Sequence, residues 1–391
     1  MAQKRKDNKG RILKTGESQR KDGSYQYRYK QLDGKWHYAY APTLEELREK
    51  EKPIQKDVDD GIKYSEGNIT VLELLERYLA LKQRLRYHTK EAYRTAYNLM
   101  KKEAFSSRKI STIRVSDAKL FYIKLQNDGR RFNYISNINC VLKPAFQMAV
   151  DEDIIRKNPF GFSLAGVIEN DTQKRIALTS EQQQIFLEFV RTDNCYKKHY
   201  DEFVVLCYTG LRVSELCGIT LSDLDFEEGR ISVNKQLTRH NGGTLHIEKT
   251  KTDCGTRYIP MSSEAYASLS NLVKNRKPPK TEVMIDGVSG FLLLDRNGNP
   301  ETAWHIEGHL KSAQDKYNRT HKEQLPHFTP HSLRHSFCTN MANHGMDVKS
   351  LQYVMGHSNP AVTMGVYAHS SYAVAAESMK KVLQFPPQKT G

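Results

Sequence analysis

Five residues in the second half of this 391-residue chain are of the types that breaking a phosphodiester bond requires: Arg212, His331, Arg334, His357 and Tyr367. The chemistry sets the requirement. A tyrosine phenol has a pKa of about 10. To attack phosphorus it must lose its proton, approach two charged oxygens and expel a 5′ alkoxide that itself needs a proton. Arginine answers the charge problem, because a guanidinium is planar, permanently charged and able to hold two phosphate oxygens at once. Two guanidiniums can stabilise a pentavalent transition state, the role that two metal ions play in other nucleases. No metal and no other cofactor is then expected.

These residues need elements to hold them. Arg212 lies in Thr209-Gly210-Leu211-Arg212-Val213-Ser214-Glu215-Leu216, just ahead of the helical apolar set Val213, Leu216 and Ile219. It therefore starts a helix, and Glu215, one turn on, would orient the guanidinium or steady the fold around it. His331 and Arg334 share one helix face, with Thr329 as cap, Pro330 at the first helical position, and Leu333, Phe337 and Met341 on the opposite, buried face. Gly356 closes a helix over 347–355, because glycine tolerates a left-handed cap. His335 reads as structural. It lies four residues from His331, but Ser332 stands where a zinc protease helix carries glutamate, so no zinc site is expected there. Glu248 to Thr252, a turn at Asp253-Cys254-Gly255 and Thr256 to Pro260 read as a β-hairpin with a mobile tip that carries Lys249 and Lys251.

The remaining chain supplies context. Net charge is +15 and hydrophobic residues make up 38%, which points to real cores and a polyanionic partner. No apolar run reaches a membrane-spanning length, and the basic, polar N-terminus is no signal peptide. Six cysteines without a C-x-x-C pair read as reduced thiols in a cytoplasmic protein. Three domains are expected: 1–65, 66–168 and 169–391. The fold class is multidomain and mainly α.

In the first domain, Lys4, Arg5, Lys6 and Lys9 form a disordered basic arm. Strands are expected over Arg11 to Thr15, Ser24 to Lys30 and Lys35 to Ala41, with a turn at Asp33-Gly34 and a backing helix from Thr43 to Asp60. Alternation puts Tyr25, Tyr27 and Tyr29 on one sheet face and Gln26, Arg28 and Lys30 on the other, where the basic face could enter a DNA groove. The second domain is all-α. Thr70 and Glu73 open its first helix, with Leu72, Leu75, Leu79 and Lys82 at helical spacing. Further helices run near Lys90 to Lys101, from a Ser116 cap, and over Asn133 to Asp151, and Asn158-Pro159 ends the bundle. Lys82, Arg84, Arg86, His88 and Lys90 cluster at one helix end as a phosphate-facing stripe. A polar linker over Glu169 to Arg175 precedes the third domain, which is α-rich with a small sheet or hairpin and opens at Thr179-Ser180-Glu181-Gln182.

The two arginine boxes, the Gly356-His357 pair and Tyr367 together resemble the tyrosine recombinases, the lambda-type integrases. Gly10 to Gly23, Pro330-His-Ser-Leu-Arg-His335 and Met355-Gly-His357 are similar to the conjugative-transposon integrases in particular. None of the residues the family requires is missing. The resemblance implies that Tyr367 is the nucleophile, His331 assists its deprotonation, His357 donates a hydrogen bond to the phosphate, and Lys251 is the general acid, with Lys249 as the alternative. It also implies arm-type DNA binding by the first domain and a C-shaped clamp on core DNA by the others. The expected reaction is metal-independent cleavage and rejoining through a 3′-phosphotyrosyl link, for excision and integration of a mobile element. The implied partners are double-stranded DNA at arm and core attachment sites, three further copies in a homotetramer, and an excisionase or DNA-bending protein. A helix over Tyr372 to Leu383 would dock on a neighbouring copy. A type IB topoisomerase-like enzyme, a non-enzymatic DNA-binding regulator and a metal nuclease are the competing readings.

Overall fold

The computed structural model describes residues 5–30, 35–59, 68–172, 177–240, 243–250 and 253–367. Asp33-Gly34, Lys251 and the helix expected over Tyr372 to Leu383 lie outside them. The chain divides into two compact units, Met1–Gln173 and Lys174–Gly391. Among the described residues no helix is long and apolar enough to cross a membrane.

The first unit begins with an antiparallel sheet of β1 (Glu17–Gln19), β2 (Tyr25–Lys30) and β3 (Trp36–Ala41), backed by α1 (Leu44–Asp59). Tyr25 and Tyr27 pack on Leu44 and Leu47, while Arg28 and Lys30 face solvent. The first strand is not Arg11 to Thr15, and the basic arm is folded from Arg5 onward. The buried Asp7 carboxylate explains both corrections. It accepts hydrogen bonds from the backbone N–H of Lys9 and of Arg11, from Arg11 Nε and from the Tyr25 hydroxyl, and so ties this stretch into a loop.

Next comes an all-helical layer: α2 (Val71–Ala80), α3 (Tyr87–Met100), α4 (Val115–Asn127) and α5 (Phe132–Asp151). Thr70 and Glu73 cap α2 reciprocally. Its buried stripe is Val71, Leu74, Leu75 and Tyr78, whereas Leu72 and Leu79 are half-buried flanks. The expected stripe is one position off because Tyr78, a large apolar ring, claims the core. Helix α3 starts three residues before Lys90, so His88 and Lys90 sit in its first turn and Lys82, Arg84 and Arg86 in the preceding loop and cap. Lys82, Arg84, His88 and Lys90 are exposed. Ser116 lies inside α4, whose N-terminal N–H of Arg114 is taken by Asp117 instead. The bundle continues past Pro159: Phe160, Leu164 and Ile168 belong to its core, and the Gln126 side chain holds the backbone of Glu169 through both its N–H and its carbonyl.

The second unit is built on α6 (Ser180–Thr192), α7 (Tyr200–Thr209), α8 (Val213–Gly218), α9 (Ser263–Asn275), α10 (Ala303–Thr320), α11 (Pro330–Asn343), α12 (Val348–Met355) and α13 (Pro360–Tyr367). Two small sheets attach to it. One has the order β4 (Leu224–Asp225), β5 (Arg230–Val233), β8 (Arg257–Pro260); the other pairs β6 (Lys235–Arg239) with β7 (Leu245–Lys249). Among the described residues the expected hairpin across Asp253-Cys254-Gly255 is therefore not formed. Strand β7 pairs with β6, across the glycine-rich segment at 241–243, and β8 pairs with β5. Helix α11 is buried on more than one face: Leu333, Arg334, Ser336, Phe337 and Cys338 are all covered, while Met341 is half-exposed.

Candidate active site

Arg212 is the N-cap of α8, and its backbone N–H and one guanidinium nitrogen both donate to Glu215, at 2.9 and 2.6 Å. Glu215 is 2% exposed. It also accepts from Arg257 Nη2 at 2.9 Å and lies 4.0 Å from Arg334 Nη1. One buried carboxylate thus serves three guanidiniums. Burial on its own would raise the Glu215 carboxyl, but the bonds to Arg257 and the charges of Arg257 and Arg212 outweigh it and hold the group below the ordinary carboxylate range.

Backbone carbonyls complete the frame. Arg257 Nε donates to Val354 O at 2.6 Å, Arg334 Nη2 donates to Met355 O, and Arg212 Nη2 donates to Gly356 O at 3.3 Å. Three consecutive carbonyls at the end of α12 each hold a different arginine. Arg334 Nη1 donates to Gly210 O at 2.5 Å, at the end of α7. Both glycines adopt left-handed backbone, Gly210 has no room for a side chain, and one at Gly356 would crowd Arg257. A Cβ at Gly210 would sit 2.5 Å from the Phe337 ring, and one at Gly356 would sit 3.0 Å from Arg257. Arg334 is 3% exposed, and burial first, then Arg212 and Arg257, push its guanidinium below its ordinary value.

His331 is exposed and lines, with Arg212, Arg334, Thr329, Glu307 and Lys311, a cavity of about 540 Å³. His357 follows Gly356, and its Nδ1 lies 3.0 Å from the hydroxyl of the fully buried Thr363. Burial, followed by the charges of Arg334, Arg212 and Arg257, lowers His357 to about 4, so the ring is neutral near pH 7 and carries one N–H. Arg212, Glu215, Arg334 and His357 are thus brought together, with His331 on the same cavity wall. Tyr367 is turned elsewhere. It ends α13, half-buried, and its hydroxyl donates to the Met346 carbonyl in the turn before α12. Burial raises its phenol above the usual value. Lys249 is exposed at the end of β7.

Two residues escape the sequence reading. Arg257 is more than a strand-face contact: its side chain is fully covered and it is the main partner of Glu215. Its alternation with the buried Ile259 on β8 is the available signal, since a buried charge demands a counter-charge. Thr363 links His357 to the helix that carries Tyr367, and nothing in its local sequence marks it.

Glu215→Gln is expected to destabilise the fold by about 3–5 kcal/mol near neutral pH, because it leaves buried guanidiniums without their counter-charge. The folded carboxyl is depressed, so its stabilisation is present above the unfolded carboxylate pKa and fades as pH falls through the folded one. Denaturant unfolding of both proteins from about pH 7 downward should therefore show the gap narrowing below about pH 4. A constant gap would mean that shape, not charge, is what the carboxylate supplies.

A model of the phage integrase family matches residues 177–373, and one of the DNA binding domain of the Tn916 integrase matches residues 1–58. The transposase from transposon Tn1545 of Streptococcus agalactiae is 42% identical over 395 residues, covering 98% of this chain and 97% of its own length. The chain belongs to the phage integrase family. The transposase from transposon Tn916 of Enterococcus faecalis is 41% identical over the same span. Among solved structures, the Tn1549 transposon integrase in complex with a circular intermediate DNA matches with a TM-score of 0.76 and 40% identity, over 81% of this chain and all of its own. A lambda integrase tetramer bound to a Holliday junction matches at a TM-score of 0.54 and 16% identity, which shows a common fold. This integrase is a DNA-binding, site-specific tyrosine recombinase, an enzyme that transfers DNA strands.

Proposed function

We propose that this integrase excises and integrates a conjugative transposon through a covalent link between Tyr367 and a 3′ phosphate. The observation that carries the reading is the pair of guanidiniums, Arg212 and Arg334, held beside His357 by Glu215 and the carbonyls of Gly210, Met355 and Gly356. Their charges face the phosphate oxygens and stabilise the transition state. In the tautomer in which the Thr363 hydroxyl donates to Nδ1, 3.0 Å away, the neutral His357 keeps its Nε2–H for the same phosphate. His331 takes the phenol proton. Lys251 delivers a proton to the 5′ oxygen, with Lys249 as the alternative. Tyr367 must leave the Met346 carbonyl to attack, so the described conformation is one that DNA binding has to change.

The test is a nicked attachment-site duplex incubated with the integrase and a metal chelator. A covalent protein–DNA complex is expected, and dependence on added magnesium or manganese would overturn the reading. Nothing in the site favours a type IB topoisomerase-like enzyme or a non-enzymatic regulator, and a strand-joining assay between two duplexes separates the former.

The first domain reads arm sites, and the rest of the chain reads core sites through Lys82, Arg84 and Lys90 among others. The exposed face of its sheet supports this: Arg28 stacks over Trp36 at 4.1 Å, with Lys30, Tyr38 and Tyr40 also exposed on it. A homotetramer on two duplexes, with an excisionase or DNA-bending protein, is the proposed assembly, acting in the bacterial cytoplasm at the nucleoid. Deleting residues 1–65, or combining Arg28→Ala with Lys30→Ala, is expected to remove arm-site protection in footprinting and to spare core-site cleavage. Protection of every site by the truncated protein would make the domain something other than an arm reader.

A further inference from the structure

At the far end of α7 from the arginines lies a second cluster that the cleavage chemistry does not use. His199 precedes α7, Glu202 is in its first turn, Glu301 precedes α10, and His305 and His309 stand one turn apart on α10. A ten-residue helix spans about 15 Å, so this cluster is well separated from Gly210 and its guanidinium. His199, Glu202 and Glu301 are each more than nine-tenths buried. The rings of His199 and His309 stack with centroids 3.8 Å apart, and His199 Nδ1 lies 3.2 Å from Glu202. One ligand-type atom from each of His199, Glu202 and His309 falls within 4.8 Å of the others.

Two buried atoms in this cluster lack hydrogen-bond partners. His309 Nδ1 is one and Glu301 Oε2 is the other. Glu301 lies with its Oε2 3.2 Å from His305 Nδ1, outside hydrogen-bonding geometry, and lines the same cavity as His199 and Glu202. A buried polar atom without a partner costs free energy, and His309 Nδ1 beside a histidine–carboxylate pair asks for a shared cation.

We propose that His199, Glu202 and His309, with Glu301 as the fourth donor, form a structural site for a divalent cation of the zinc class. Two imidazole nitrogens and carboxylate oxygens suit zinc, whereas calcium and magnesium take shells of six or more oxygens. Tetrahedral zinc holds its donors about 3.3 Å apart, so the cluster closes by side-chain rotation on binding. The cation ties the start of α7 to α10. On its other side α10 presents Glu307 and Lys311 to the cavity beside Arg212, so the site holds a wall of the catalytic cavity while standing outside the chemistry.

The experiment uses the full-length integrase, stripped with a chelator, dialysed, and titrated with zinc alone. One bound zinc per chain is expected, with a melting temperature roughly 5–10 °C higher at zinc a hundredfold above its dissociation constant. Cobalt alone should give the intense visible bands of a tetrahedral site. His309→Gln and Glu202→Gln should each weaken zinc binding by more than the roughly 10–100-fold that loss of an outer partner causes, and abolish those bands. His309 is only partly buried, so its variant remains measurable if the Glu202 variant does not fold. No zinc-dependent rise in the parent, or an unchanged zinc affinity and cobalt spectrum in His309→Gln, would overturn the proposal. These readouts are metal content and stability, so their failure leaves the covalent-adduct test untouched.

Discussion

Tyr367→Phe is expected to bind attachment-site DNA like the parent integrase and to form no covalent adduct with it. The substitution removes a single oxygen. With it goes the hydrogen bond to the Met346 carbonyl, worth about 0.5–1.5 kcal/mol net, so the fold survives. The loss of chemistry is complete because phenylalanine has no oxygen with which to attack phosphorus. The parent phenol is held above its ordinary pKa, first by burial and then by Cys338 and Asp347, so it stays protonated near neutral pH until a base acts on it. Denaturing gels of protein on labelled, nicked DNA read the outcome directly. An adduct that persists in the phenylalanine variant would move the nucleophile, with Tyr372 the next candidate.

Arg212→Lys should bind DNA and cleave it about 10²–10³-fold more slowly, the penalty of losing one transition-state donor, roughly 2.7–4 kcal/mol. The geometry explains why a retained charge does not rescue it. The guanidinium reaches Glu215 with one nitrogen and the Gly356 carbonyl with the other, and this fork fixes its plane. An ammonium has no plane to fix and offers one point of charge. Single-turnover cleavage on a nicked substrate isolates the chemical step. A near-normal rate there would make Arg212 a structural residue of the α8 cap.

The parts of the site that depend on local chain chemistry are legible in the sequence. Thr329 with Pro330, Gly356 after a helix, and Glu215 one turn after Arg212 each declare a helix end, and the structure has those ends. Pairings between distant segments are not legible. Strands β7 and β8 are neighbours in sequence with a turn between them, which suggests a hairpin; in the structure β7 pairs with β6 and β8 with β5, where Arg257 is buried against Glu215. The same limit hides Arg257 as the partner of Glu215, 42 residues away. It also hides the Met346 carbonyl as the resting partner of Tyr367, because a backbone acceptor leaves no mark in the residue types. Near the N-terminus, side-chain bonds to Asp7 override a strand signal that β-propensity alone supports.

The row of carbonyls at Val354, Met355 and Gly356 bears on how this protein can change. A substitution cannot delete a carbonyl, so side chains along α12 can vary while all three arginines keep their anchors. Length is another matter. Adding or removing one residue within α12 rotates its C-terminal end by about 100°, and each guanidinium would then meet its neighbour's acceptor or none. Helix α12 therefore acts as a fixed-length gauge, permissive to spelling and intolerant of frame.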